Sequence, residues 1–147
     1  MKVREFMSAQ VVTANLRDGL HQTWERMREH GIRHMPVLDE HEALVGIISD
    51  RDLRRPGTLD LGGAVDSFRL DDHIKVEAAM TGAPRTVLPE DDITQALDLF
   101  LDHHFGALPV VDGDRRVLGM LSAFDLLRAF RQRLDAEQGR GGQELVA

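Results

Sequence analysis

The sequence predicts a mixed α/β (α+β) fold, built from two tandem copies of one β-α-β-β-α unit. Two observations lead to this prediction. The 147 residues are 42% hydrophobic and 29% charged, a balance typical of a folded module with a sizeable core. The chain also matches itself when residues 3–55 are placed over residues 76–128, a shift of 73 positions without a gap.

The internal match joins identical residues and also positions that are apolar in both copies. Pro36 falls on Pro109, for example, and the apolar Trp24 falls on Leu97. Further identical pairs include Val3 with Val76, Met7 with Met80, Thr13 with Thr86, Asp18 with Asp91, His30 with His103, Val37 with Val110, Asp39 with Asp112, Gly46 with Gly119, Ser49 with Ser122, Asp52 with Asp125, Leu53 with Leu126 and Arg55 with Arg128. The match therefore predicts two copies of one supersecondary unit.

Each copy begins with an extended piece and an amphipathic helix. The extended pieces cover residues 11–14 and 85–88. Apolar residues then recur at i, i+4 and i+7, the period of a helix with one buried face. These residues are Leu20, Trp24 and Met27 in the first copy and Ile93, Leu97 and Phe100 in the second. We expect one face of each helix to be buried.

A β-hairpin and a second helix follow in each copy. The first strand of each hairpin is expected to start at a proline, where no ladder N–H is lost. Ser49 and Ser122 stand where they would cap the second helix, with Asp52 and Asp125 three positions later in its first turn. The strand, turn and strand cover residues 35–38, 39–42 and 44–48 in the first copy and 108–111, 112–115 and 117–121 in the second.

The repeat also predicts the division of the chain. Residues 1–55 form the first repeat, 56–75 a linker, 76–134 the second repeat and 135–147 a flexible C-terminal tail. The linker contains Pro56, Gly57, Gly62 and Gly63 without a sustained period, and the tail contains three glycines and few core-forming residues. We expect the last helix to run from residue 123 to residue 134.

Composition excludes several classes of protein. With no cysteine, the chain has no disulfide, thiolate metal site or cysteine nucleophile. Its apolar runs are far shorter than the roughly 20 residues of a membrane helix, and its N-terminus lacks the apolar region of a signal peptide. We therefore expect a cytoplasmic protein with no membrane partner. The net charge of −7 makes nucleic acid an unlikely partner.

Sequence motifs for catalysis and metal binding are also missing. The chain has no GxxxxGK[ST] phosphate loop and no nucleophile elbow, so we expect no enzyme and assign no catalytic residue. The histidines do not show the spacing of metal ligands, and we assign no metal site. His103 and His104, beside Asp102, stand at a predicted helix C-terminus, where the helix dipole favours histidine.

The repeated sequence pattern resembles the CBS (cystathionine-β-synthase) domain, which occurs in tandem as a Bateman module. The resemblance implies that the two repeats pack with pseudo-twofold symmetry into one such module. The resemblance rests on the segments IRHMPVLD and FGALPVVD, followed by LVGIISDRDL and VLGMLSAFDLLRAF, and it covers nearly everything from residue 3 to residue 130. The chain is similar to stand-alone CBS-pair proteins, including the acetoin-utilisation type. The resemblance implies a regulatory module that requires no cofactor and binds adenosine-containing ligands such as AMP, ADP or ATP, or else NAD or S-adenosylmethionine. It also implies a homodimer through helices of both repeats, and an effector protein in trans.

The resemblance also implies which residues line the two clefts between the repeats. Asp52 or Asp125 would bind the ribose hydroxyls, and a carboxylate suits two vicinal donors. Ser49 or Ser122 would face phosphate with nearby polar residues, which are Asp50 and Arg51 in the first copy. Thr13 or Thr86 would line the sugar and base, together with the residues before each strand proline. Those residues are Ile32, Arg33 and His34 in one repeat and Phe105, Gly106 and Ala107 in the other.

The same residues have a purely structural interpretation. Ser-x-x-Asp before an apolar helix is an ordinary capping arrangement. In the first copy, GIISDRD is more polar than capping requires, whereas in the second copy, GMLSAFD, Ala123 and Phe124 replace Asp50 and Arg51. The second cleft would use Asp125 with Arg33 and His34, or would be empty. A ligand-free structural or dimerisation module with degenerate clefts is therefore the alternative function.

Overall fold

The computed structural model describes residues 1–54 and 72–144. The elements are a 3₁₀ turn at Val3–Glu5, then β1 (Ala14–Asn15), α1 (Leu20–His30), β2 (His34–Leu38), β3 (Leu44–Ser49), α2 (Asp50–Leu53), α3 (Val76–Ala79), β4 (Thr81–Gly82), α4 (Ile93–His103), β5 (Ala107–Val111), β6 (Val117–Ser122) and α5 (Ala123–Glu144). Both predicted β-α-β-β-α units are present, which confirms the mixed α+β fold. The linker predicted for 56–75 lies outside the described residues as far as residue 71.

Each repeat contributes one antiparallel hairpin to the fold. In the first repeat, β1 runs parallel to β2, β2 pairs with β3, and β4 completes a four-stranded sheet. In the second, β5 pairs with β6, and a parallel bridge from Val87 to Val110 takes the place of β1. The strands β2 and β5 begin two residues before their prolines rather than at them, because Pro36 and Pro109 pair with Ile47 and Met120 inside each hairpin.

The two repeats exchange their N-terminal segments. Strand β4, at the start of the second repeat, pairs with β3 of the first, and Ser8, in the first repeat, bridges Met120 in β6 of the second. The hydrophobic clusters follow the same exchange, because Val76 is buried in the first repeat's core and Val3 in the second's. This reciprocal packing gives the pseudo-twofold symmetry and joins the repeats into one folding unit.

Two glycines allow the exchanged segments to lie close to the hairpins. A Cβ atom on Gly119 would stand 2.6 Å from the backbone oxygen of Ser8, and one on Gly46 would stand 2.5 Å from Sδ of Met80. Both distances are shorter than a Cβ atom tolerates. Both repeats therefore have glycine at this position because the N-terminal segment of the other repeat packs directly against it.

The long helices bury most of the face that their period predicts. Leu20 and Met27 of α1 and Ile93 and Phe100 of α4 are buried in the cores. The exception is Leu97, which is 41% exposed. Helix α4 begins with a capping box in which Asp92 accepts a hydrogen bond from the N–H of Thr94.

The last helix is longer than the sequence predicts. Helix α5 continues past residue 134 to Glu144, so residues 135–144 are helical. Two ion pairs at i, i+4 spacing, Arg131 with Asp135 and Arg133 with Glu137, support the added turns. The expected end of the helix at residue 134 was wrong, because these pairs favour helix where the apolar period has already stopped.

Candidate ligand-binding site

A cavity of about 380 Å³ lies where the two repeats meet. This volume falls within the range of small-molecule sites. The first repeat, the exchanged segment and the second repeat all contribute to its wall. The lining residues are His34, Ile47, Ser49 and Asp52, then Thr81, Ala83, Pro84 and Arg85, and finally His104, Phe105, Gly106, Ala107 and Leu108.

One wall of the cavity is the turn between β3 and α2. The N–H of Ser49 donates to Oδ2 of Asp52 at 2.8 Å, and the N–H of Asp52 donates to Oγ of Ser49 at 3.1 Å. Asp52 is only 6% exposed. The capping arrangement expected from the sequence is therefore confirmed, and the same turn places its carboxylate in the wall of the cavity.

The opposite wall is the start of β5. Gly106 leaves space there for the ring of His34, because a Cβ atom at position 106 would stand 2.4 Å from Nε2 of that ring. The carbonyl of Gly106 accepts a hydrogen bond from the N–H of Ala123, just as the carbonyl of Arg33 accepts one from Asp50. These two bonds tie each helix start to the strand start beside it and hold both walls in place.

The cavity contains several groups that carry or accept protons. Desolvation by burial lowers the pKa of His34 below its usual 6.5, while the carboxylates of Asp50 and Asp52 oppose that shift. The ring is therefore neutral near pH 7. Arg85 supplies a permanent positive charge, and His104 supplies a second imidazole at the C-cap of α4. Among the described residues, the lining thus combines one carboxylate with a guanidinium and two imidazoles.

Five residues predicted for the first cleft line this cavity together, namely Ser49, Asp52, Phe105, Gly106 and Ala107. Three others do not line it. Thr86 is half-buried beside the lining residue Arg85, Arg51 is exposed on α2, and Asp50 faces a different cavity. The structure therefore places Arg85, rather than Arg51, in the lining of this cavity.

That different cavity, of about 320 Å³, lies on the helical face of the first repeat. It contains two residues predicted for the second cleft, Ile32 and Arg33, whereas His34 lines the first cavity. The remaining lining residues are Trp24, Met27, Arg28, Gly31, Asp50 and Arg54. Thr13 is half-buried, and its carbonyl accepts a hydrogen bond from Nη1 of Arg26 at 2.9 Å.

The second Ser-x-x-Asp turn has different surroundings. The N–H of Ser122 donates to Oδ2 of Asp125 at 2.7 Å, while the guanidinium of Arg128 donates to Oδ1. Both carboxylate oxygens of Asp125 are thus already bonded within the chain. Neither of the two cavities includes Ser122 or Asp125. Neither of these two cavities therefore contains all the residues predicted for the second cleft.

Sequence reasoning missed the part of the lining that comes from the exchanged segment, residues 81–85, and it also missed Ile47, Leu108 and His104. The segment's contribution depends on the crossing between repeats, which leaves no local signal in the sequence. His104 was interpreted only as a histidine at a helix C-terminus. It does end α4, in the left-handed conformation with φ of 54°, and that turn directs the chain into the cavity wall.

Within residues 1–54 and 72–144, His and acidic side chains form no group of three placed to hold a metal ion. Over the same residues, no helix is both long and apolar enough to cross a membrane.

Two curated relatives illustrate the range of proteins that share this sequence pattern. The chain is 42% identical over 103 residues to the arabinose 5-phosphate isomerase KdsD of Pseudomonas aeruginosa, covering 70% of this chain but only 29% of the isomerase. It is 32% identical over 128 residues to a CBS domain-containing protein of Dictyostelium discoideum, covering 85% of this chain and 88% of that protein.

Solved structures match the whole arrangement of the two repeats. The CBS domain pair of protein MJ0100, in complex with 5′-methylthioadenosine and S-adenosyl-L-methionine, superposes with a TM-score of 0.75 at 25% identity, covering 90% of this chain and 98% of that one. CBSX2 in complex with AMP superposes with a TM-score of 0.74 at 27% identity, covering 89% and 97%. CBSX2 is a protein of Arabidopsis thaliana.

The family model for the CBS domain matches twice along the chain, at residues 3–56 and 76–132. The two matches coincide with the two copies found by the internal repeat. The chain therefore belongs to the CBS domain family, as a tandem pair.

Proposed function

We propose that this protein is a non-catalytic sensor that binds a phosphorylated adenosine compound, AMP, ADP or ATP, in the cavity between its repeats. The observation that carries the proposal is the meeting of the Ser49–Asp52 turn with residues 105–108 around one cavity. In this proposal the protein acts in the cytoplasm, as a homodimer, and signals to an effector protein in trans.

In this proposal, different lining residues bind different parts of the ligand. The carboxylate of Asp52 accepts hydrogen bonds from vicinal ribose hydroxyls. Phe105, Ala107 and Leu108 offer apolar surface to the base. Solved relatives with 25% and 27% identity hold adenosine compounds, which supports this ligand class.

The charge of the lining favours a phosphate over a sulfonium group. Arg85 provides a fork of donors that matches phosphate oxygens. Among the described lining residues, the only carboxylate is that of Asp52, which is already engaged in the helix cap. A sulfonium ligand would meet the guanidinium with no further acid among these residues to offset it. AMP, ADP and ATP are therefore ranked above S-adenosylmethionine, and also above NAD, whose net charge is smaller.

Thermal unfolding of the pure protein against AMP, ADP, ATP, NAD, S-adenosylmethionine and GTP tests the proposal. A ligand at 100 times its dissociation constant adds about 2.7 kcal/mol to the stability of the native state. For a chain of this size that raises the midpoint by about 5–10 °C. We expect such a shift with an adenine nucleotide and none with GTP.

The two aspartates provide a matched pair of variants. Asp52→Ala should raise the dissociation constant of the nucleotide by roughly 10- to 150-fold, the value of a charged hydrogen bond of about 1.5–3 kcal/mol. Asp125→Ala removes the equivalent cap and should leave the affinity unchanged. Calorimetric titration of both variants checks this, and equal losses of affinity would show that the effect comes from the cap and not from the ribose.

The alternative is a ligand-free structural or dimerisation module. The second repeat favours this alternative for its own turn, because both oxygens of Asp125 are bonded inside the chain. A folded protein whose midpoint moves with none of the nucleotides would support the alternative for the whole chain.

A further inference from the structure

The imidazole ring of His34 joins the two repeats within the wall of the cavity. His34 begins β2, where it stands opposite Ser49 in the register of the hairpin. Its Nε2 atom lies close to the backbone of Gly106, because a Cβ atom at that position would stand only 2.4 Å away. Ser49 and Gly106 both line the cavity together with His34. The ring is therefore part of the wall that surrounds a bound ligand.

Charged and titratable side chains from both repeats lie around this ring or share its cavity. They are Arg33 on β2, then Asp50, Arg51 and Asp52 on α2, and finally Arg85 and His104 of the second repeat. Burial has the largest influence on the ring and lowers its pKa below 6.5. The two carboxylates favour a protonated ring, whereas the guanidinium groups of Arg33 and Arg51 oppose one. The protonation state of His34 therefore depends on a balance of opposing effects.

A phosphate group bound in the cavity would change that balance. A phosphate monoester carries a charge of about −1.5 to −2 near pH 7. Salt screens buried charges much less than exposed ones, so this charge acts on a ring that lines the same cavity of about 380 Å³. A nearby negative charge favours the protonated imidazole and raises its pKa. Between the pKa values of the free and the bound protein, the ring therefore gains a proton from the solvent as the nucleotide binds.

The second repeat has no imidazole at the matching position. The shift of 73 residues places Ala107 over His34 and Gly106 over Arg33. Neither alanine nor glycine has a side chain that can take up a proton. The effect therefore belongs to the sequence of the first repeat and does not follow from the duplicated unit as such.

We propose that nucleotide binding in this cavity is coupled to the uptake of a proton by the imidazole of His34. The complex then holds more protons than the free protein, so the dissociation constant of the nucleotide falls as the pH falls, by at most about tenfold per pH unit. The protein thus responds to the nucleotide and to pH together. This inference rests on the sensor function proposed above and adds a regulation of that same site.

Calorimetric titration in two buffers that differ in ionisation enthalpy counts the protons taken up per nucleotide bound. The titrant is whichever of AMP, ADP and ATP gives the largest shift in thermal unfolding. Its own phosphate titrates near pH 6, so the wild type is compared with His34→Asn, in which only the protein's contribution changes. His34→Gln serves as a second variant, and circular dichroism shows whether each variant is folded.

His104→Asn is the matched control, because His104 is the other imidazole among the described lining residues. Asparagine tolerates the left-handed conformation, with φ of 54°, in which His104 ends α4. Adenosine, which has no phosphate, is the control ligand. Near pH 6.5 we expect the wild type and His104→Asn to take up more protons than His34→Asn, by up to one per nucleotide. With adenosine we expect no such difference.

The possible outcomes separate this coupling from the sensor function. Equal proton uptake by the wild type and His34→Asn would overturn the coupling and leave the sensor function standing. Loss of the uptake in His104→Asn alone would assign the proton to the other imidazole and would also overturn it. The same uptake with adenosine would overturn it as well, because the phosphate charge is its cause. A protein that binds none of the three nucleotides between pH 5.5 and pH 8 would overturn both proposals.

Discussion

The two Ser-x-x-Asp turns have nearly the same internal geometry and very different surroundings. The serine N–H to carboxylate distance is 2.8 Å in the first and 2.7 Å in the second. Among the described residues, the first turn lines the cavity, and the carboxylate of the second accepts a hydrogen bond from the guanidinium of Arg128. The comparison teaches that repetition of the sequence preserves the local cap, while the side chains around each cap decide whether a ligand finds room there.

The residues that precede each strand proline differ between the two repeats. The cavity at the first turn is completed by Gly106 and Ala107, which are small. The equivalent residues of the first repeat, by the 73-residue shift, are Arg33 and His34. Gly106 and Ala107 leave space in the cavity at the first turn, where His34 is also part of the lining, whereas Arg33 lines the other cavity together with Asp50.

The largest effect expected from this comparison is on the free energy of unfolding, at Gly119 and Gly46, where the exchanged segments cross the hairpins. We expect Gly119→Ala to lower the free energy of unfolding by about 3 kcal/mol and Gly46→Ala by about 1 kcal/mol. At position 119 the new Cβ atom meets the backbone oxygen of Ser8, which also accepts the N–H of Met120. At position 46 its nearest neighbour is the flexible end of Met80. Equilibrium unfolding in urea measures both values.

The glycine pair contains its own control. Replacement of glycine by alanine reduces the entropy of the unfolded chain to the same extent at both positions. The difference between the two variants therefore reports the strain alone. Equal losses of stability would contradict the expectation that the backbone of Ser8 can move less than the side chain of Met80 to accommodate the new methyl group.

A smaller effect is expected on ligand affinity at Gly106. The variant Gly106→Ala should weaken nucleotide binding about tenfold, because its methyl group must displace the ring of His34 into the cavity. Gly113→Ala, in the hairpin turn of the same repeat, meets no atom within 4 Å and is the matched control. Calorimetric titration compares the two, and unchanged affinity in Gly106→Ala would show that His34 does not shape the site.

The smallest effect expected is the pH dependence caused by His34. The pKa of His34 in the folded state lies below 6.5. Well above that pH the ring is neutral in both the folded and the unfolded chain, so it does not make the free energy of unfolding depend on pH. As the pH falls below 6.5, the unfolded chain takes up the proton first, and the free energy of unfolding decreases by at most about 1.4 kcal/mol per pH unit.

Urea unfolding between pH 7.5 and pH 5 measures this contribution in the wild type and in His34→Asn. The variant should lose less stability over that range, because the amide does not titrate. Parallel curves for the two proteins would mean that burial does not depress the pKa of His34.

Much of the fold could be predicted from apolar period and repetition. The hairpins, the long helices and both caps appear where the sequence places them, because each depends on residues within a few positions of one another. The prediction failed at Leu97, which has the helical period but lies outside the core. A period shows that a helix has an apolar face, but it does not show what covers that face.

Only part of the candidate site could be predicted, because a local sequence pattern does not show which distant segment packs against it. Ser49 and Asp52 are set by a local cap, and residues 105–107 precede a strand that the pattern locates. Arg85 and the segment from Thr81 reach the cavity because the repeats exchange their N-termini, and that contact joins residues far apart in the chain.

The sequence by itself determined the duplicated unit, its family and the positions of both Ser-x-x-Asp caps, since these follow from spacing along the chain. Only the tertiary structure decided which cap faces a cavity, which arginine lines it and which helical face stays uncovered. These properties depend on how the two repeats cross and on the size of side chains that meet across the crossing. Identical local motifs therefore reached different surroundings in one molecule.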